Sequence, residues 1–119
     1  LDQPPIANYL LVATVSGNDG TCTNATGFTT AIEVYNATDD DFLRIAYKVA
    51  AAGESSAITF TAFVGNTKNL QVSEWPCEDT ATPLDQTAST GTTLAVSTLS
   101  SGTTATTAAN KEVAIALLA

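Results

Sequence analysis

The chain has 119 residues, 45% of them apolar and 13% charged, with 12 Asp and Glu against 4 Lys and Arg for a net charge of −8. That length suits one domain, and the apolar share is ample for a core. The acidic balance argues against a nucleic-acid binder, which needs Lys and Arg against phosphate. The absence of His removes Ser-His-Asp triads, Cys-His pairs and His-ligated zinc. No apolar run approaches the ~20 residues of a spanning helix, so no membrane span is expected. The start, Leu1-Asp2-Gln3-Pro4-Pro5, lacks a basic region and an apolar segment and is not a Met. The expectation is a processed or trimmed chain, or a piece of a longer one.

In chain order, residues 1–7 read as an extended segment or linker and 8–119 as a single β-domain. Tyr9 to Val15 is apolar on both faces, as a central or doubly covered strand would be. Gly17-Asn18-Asp19-Gly20 marks a loop. Phe28 to Tyr35 is Thr-rich and β-branched and ends at Asn36, before the Asp39-Asp40-Asp41 loop. Phe42 to Val49 alternates: Leu43, Ile45, Tyr47 and Val49 point one way, Arg44, Ala46 and Lys48 the other. That predicts a half-buried strand with Arg44 and Lys48 on its wet face. After a turn-like break at Ala50 to Glu54, alternation resumes around Ile58, Phe60, Ala62 and Val64, so the two runs and the break predict a β-hairpin whose second strand ends at Gly65-Asn66.

Asn69 to Trp75 predicts a further strand and Pro76 to Pro83 a loop. Thr80 to Thr107 holds 15 Ser or Thr in 28 residues, a bias that suits polar outer faces; a strand is expected at Thr92 to Thr98. Val113 to Leu118 is the second doubly apolar strand. No segment has helical periodicity.

Cys22 and Cys77 are expected to pair, since an acidic, Thr-rich chain suits an extracellular setting and Cys22 sits in a polar loop. A loop that long gains about 4 kcal/mol from closure. The alternative is two thiols in a reduced compartment. Asn24-Ala25-Thr26 and Asn36-Ala37-Thr38 fit the N-glycosylation pattern, making Asn24 and Asn36 candidate glycan sites. The acidic loops lack the ligand spacing of an EF-hand and read as solvated charge. No motif asks for a cofactor, and no two carboxylates are brought together for acid–base work.

Taken in order, these segments resemble a β-sandwich domain of secreted bacterial and phage structural proteins. The resemblance rests on Asn8-Tyr9-Leu10-Leu11-Val12-Ala13, Ile45-Ala46-Tyr47-Lys48-Val49-Ala50, Gly53-Glu54-Ser55 with Ile58-Thr59-Phe60, Thr82-Pro83-Leu84-Asp85-Gln86 and Ala109-Asn110. It implies an all-β, jelly-roll-like antiparallel β-sandwich of the kind found in surface fibres, adhesins, and virion or tail proteins, without shared catalytic residues. The pattern here starts and stops early, so the missing strands are expected either from a longer chain or from a neighbouring subunit.

The doubly apolar strands would leave apolar edges exposed in a lone domain. Leu10, Leu11, Val12, Val113, Ile115 and Leu117 are therefore the candidate assembly residues. The expected function is a non-enzymatic structural subunit of an extracellular fibre or pilus-like filament whose partners are copies of itself. The alternatives are a virion decoration or tail protein, and a carbohydrate-binding module using Tyr9, Tyr35, Phe63 or Trp75 against glycans.

Overall fold

Runs rich in β-branched and aromatic residues lay down four strands: β1 (Leu10–Asn18), β2 (Thr29–Asn36), β3 (Asp41–Val49) and β4 (Lys68–Trp75). They form one antiparallel sheet in the order β2-β3-β1-β4. The computed structural model describes residues 1–18, 20–89, 103–106 and 114–116. The expected strands at Thr92 to Thr98 and, but for Ala114 to Ala116, at Val113 to Leu118 lie outside these residues; Ala114 to Ala116 are not in a strand. Among the described residues no helix is long and apolar enough to cross a membrane.

The double apolarity of β1 has the expected cause: it is central, paired with β3 on one side and β4 on the other. Leu11, Ala13 and Val15 on one face are fully buried, and Val12 on the other is 3% exposed. The first face is covered by the connections 20–28 and 58–63. Leu11, Ala13, Val15, Phe42 and Ala46 of the sheet pack against Cys22, Ala25, Phe28 and Phe60. Phe28 meets Phe60 edge-on with centroids 5.4 Å apart, and Phe42 lies tilted against Phe63.

Two expectations for β3 are overturned. Its alternation is real but its faces are reversed: Phe42, Arg44 and Ala46 are buried, and Leu43, Ile45 and Tyr47 are half-exposed. The register sets Arg44 beside Val15 and Ala46 beside Ala13, on the covered face. Nor does β3 form a hairpin with 58–64. Its neighbours are β1 and β2, and residues 58–64 contribute one isolated bridge, Thr61 with Thr23. Ala62 has a φ of 58°, a left-handed conformation that turns the chain out of any continuing ladder. At Gly65 the backbone passes so close to Asn18 that a Cβ would overlap the Asn18 carbonyl, so the position excludes side chains.

In β2 the ladder slips by one residue between Thr30 and Ile32, bulging Ala31. Thr30 pairs with Ala46, and beyond the bulge Glu33 pairs with Arg44. Without the slip Ile32 would stand opposite Arg44 and Glu33 would face away. The bulge thus delivers a carboxylate to the one charged side chain buried among the described residues, Arg44 at 8% exposure.

Replacing Arg44→Leu should therefore destabilise the fold by about 2–4 kcal/mol, because Glu33 and several loop acceptors lose their donor together. Arg44→Lys should recover only part of that, since an ammonium cannot span the same fork. Urea unfolding midpoints check both; an unchanged midpoint for Arg44→Leu would contradict the role.

Candidate functional site

The most elaborate side-chain cluster is built around Arg44. Its Nε donates to Glu33 Oε2 at 2.6 Å, and Nη2 forms an ion pair with the same oxygen. Nη2 also donates to Thr21 Oγ1 at 2.6 Å, and Nη1 to the Cys22 carbonyl at 2.8 Å and to Asn24 Oδ1 at 2.7 Å. The guanidinium so gathers Thr21, Cys22 and Asn24 of one loop onto the sheet. Each donor has a local acceptor, so the cluster is a structural clamp rather than an anion site. Lys48 is also internally engaged: Nζ lies 2.7 Å from Glu54 Oε2 and donates to the Thr26 carbonyl at 3.3 Å. Neither cation is offered to a neighbour's acids. A groove of about 280 Å³, lined by Thr26, Phe28, Lys48, Glu54 and Ile58 among others, contains this neutralised pair. The Arg44 clamp is not evident from periodicity, because a buried Arg and a wet-face Arg have the same period; its trace in the sequence is the company of Phe42 and Ala46 on the same parity.

The expected disulfide is not formed: Cys22 is a buried free thiol and Cys77 a half-buried one. The register explains why. Cys22 sits at Arg44, opposite Val15 of β1, whereas Cys77 lies beyond Trp75, opposite Leu10. Five residues of β1 separate those positions, about 17 Å at ~3.4 Å per residue. A bridge needs Cα atoms within about 7 Å. Burial pushes the Cys22 thiol up, against the lowering effect of Arg44. Burial, reinforced by Asp79, also raises Cys77, whose Sγ lies 3.1 Å from the Asp79 carbonyl.

The two candidate glycan sites differ. Asn24 is held on both ends of its amide: Nδ2 donates to Thr30 Oγ1 and the Phe28 carbonyl while Oδ1 accepts from Arg44. Asn36 shapes the β2–β3 turn, accepting from the Thr38 N–H at 3.0 Å and donating to Asp39 Oδ2 at 2.8 Å. The acidic run serves the same turn, with Asp40 at a φ of 59° and hydrogen-bonded to the Tyr35 hydroxyl.

Of the candidate assembly residues, Leu10, Leu11 and Val12 are not at a free edge, since β1 is paired on both sides. Ile115 is half-buried outside any strand, and Val113 and Leu117 lie outside the described residues. The strands with a single partner among the described residues are β2 and β4. The N-terminal segment lies back on the domain: the Leu1 ammonium donates to the Ser56 carbonyl and the Ile6 N–H to Glu74 Oε1.

Compared with known protein families, curated proteins and solved structures, the chain matches none.

Native-state thiol labelling should modify Cys77 before Cys22, and the intact mass without reductant should carry two more hydrogens than a disulfide form. In a glycosylating host Asn36, whose amide makes only exposed bonds within its own turn, should be occupied in preference to Asn24, whose amide is locked to the buried Arg44 guanidinium; glycopeptide mapping checks this. The hydrogen bond from Lys48 holds the Glu54 carboxyl below the usual carboxylate range, with the Ala51 N–H assisting. Its stabilisation is complete above the ordinary carboxyl pKa and is lost as pH falls through the lowered one. Glu54→Gln should remove that part of the acid sensitivity in pH-dependent melts.

Proposed function

We propose that this chain is a structural subunit that associates with copies of itself through strand edges, as in an extracellular fibre or pilus-like filament. The observation that carries the reading is the sheet itself, whose outer strands β2 and β4 each have one partner among the described residues. Of these, β4 exposes Lys68, Asn69, Leu70 and Gln71. An uncovered regular edge is a template for another strand.

The half-exposed second face of the sheet supports the finer fold reading. It presents Leu10, Leu43, Ile45, Tyr47, Ile32 and Val34, an apolar set suited to a second layer, as in a jelly-roll-like sandwich. The extracellular placement belongs to the same proposal. It no longer draws on a disulfide, and rests on the acidic surface and on the resemblance to secreted structural domains. A virion decoration or tail protein would use the same edges in a closed assembly. The carbohydrate-binding alternative needs coplanar exposed aromatics. Tyr35 shares the face of Phe42 at the β2 edge, whereas Trp75 pairs with Leu10 on the other face at the β4 edge, so they form no common platform.

Electron microscopy of the native source material should reveal fibres that label with an antibody to this chain. Size-exclusion chromatography at high concentration should give species larger than one chain. A monodisperse monomer without fibres would overturn the reading, and the chain on particles of closed symmetry would select the virion alternative.

A further inference from the structure

The two outer strands are not equivalent as edges. The pairing of β2 slips at Ala31, and a bulge of that kind twists an edge away from partners. The pairing of β4 with β1 runs without a slip from Trp75 opposite Leu10 to Lys68 opposite Gly17. This edge has no Pro, and Lys68 is its only Lys or Arg. A regular edge will take an antiparallel strand, and its own sequence says which one it fits.

We propose that β4 pairs antiparallel with β4 of a second copy, in the register that sets Gln71 opposite Gln71. The inference rests on the self-association reading above and names the edge and the register that carry it. The segment is Lys68-Asn69-Leu70-Gln71-Val72-Ser73-Glu74. Two-fold pairing about Gln71 places Lys68 opposite Glu74, Asn69 opposite Ser73 and Leu70 opposite Val72, then repeats each pair in reverse. Every contact is complementary: two opposite-charge pairs, two apolar pairs, two polar pairs and one amide pair. Lys68, Leu70, Val72 and Glu74 share the covered face of the sheet, as their partners Gly17, Val15, Ala13 and Leu11 show, and residues opposite one another in an antiparallel ladder share a face. The charge and apolar pairs therefore meet as side-by-side neighbours. Sliding the register by two residues sets Lys68 against Val72, or Leu70 against Glu74. Sliding it by one puts the covered faces of the two copies on opposite sides of the sheet.

The side chains are available for this. Leu70 is 38% exposed, and Lys68 is exposed with no ion-pair partner among the described residues. Glu74 uses one oxygen for the Ile6 N–H, and the other has no hydrogen-bond partner among the described residues, so it can meet an ammonium. The contact is isologous and closes on itself, giving a two-fold dimer with one continuous sheet. Growth into a filament would require a different second contact.

Charge exchange tests it. Lys68→Glu alone and Glu74→Lys alone each set like charges opposite one another in both pairs, and each should weaken wild-type dimerisation at least ~10-fold by sedimentation. An equimolar mixture of the two variants restores both pairs as a heterodimer and should return to within a few-fold of wild type. Recovery on mixing also excludes misfolding as the cause of the loss. In the wild type, amide exchange across 68–74 should slow as protein concentration rises. A wild-type monomer at every concentration, with β4 amides exposed or protected from within the chain, would overturn both this pairing and the self-association reading. Oligomers indifferent to both charge reversals would overturn this pairing alone.

Discussion

The buried guanidinium of Arg44 is the constraint on which the rest of the fold depends. A charge taken out of water must be met by acceptors on several sides. Here they come from β2 through Glu33 and from the β1–β2 connection through Thr21, Cys22 and Asn24. That connection must consequently lie over the sheet rather than project from it. It brings Ala25 and Phe28 down onto Ala46 and Phe60, and the bridge from Thr23 to Thr61 fastens the next connection beside it. The apolar cover of this face is thus positioned by a polar clamp, and the bulge at Ala31 is what turns the carboxylate of β2 toward it.

The strands were legible because period-two alternation and turn residues are local signals. The starts and ends of β2, β3 and β4 fall within one or two residues of where composition places them. The central place of β1 also follows from its double apolarity. What failed depended on contacts distant in sequence. Alternation alone leaves the phase of β3 open: charge places Arg44 in water, whereas the partner that allows its burial, Glu33, stands on another strand. Residues 58–64 have strand-like alternation, but a left-handed Ala62 and a sheet already completed on that side by β2 leave them as a covering loop. The disulfide failed for a related reason: two cysteines suggest a bridge by number, but only the β1 register shows that they lie at separate places along it.

The same registers decide where association is feasible. Apolarity had pointed to β1 as the assembly strand, yet apolarity on both faces marks a strand already enclosed. The edges without a second partner among the described residues are the more polar strands, β2 and β4, in keeping with the general rule that an exposed edge stays soluble by carrying polar side chains. A polar edge can still recognise a partner, provided that its pattern is complementary to that partner rather than merely hydrophilic.

Charge makes this selectivity sharper. Two bodies that each carry −8 repel one another at long range. Of the four cations, Arg44 and Lys48 are consumed by Glu33 and Glu54 inside the domain, and Lys111 lies outside the described residues. Among the described residues Lys68 is the Lys or Arg left to face outward, and it stands on the regular edge. Over the described residues, any approach that does not bring an acid to Lys68 therefore meets mainly like charge. The pairing about Gln71 meets that condition twice, once at each end of the strand. Salt acts on both terms, screening the general repulsion and also weakening the exposed pairs. In the proposed pairing the acidic surface discourages arbitrary contact, while Lys68, held in place by β4, favours the two-fold one.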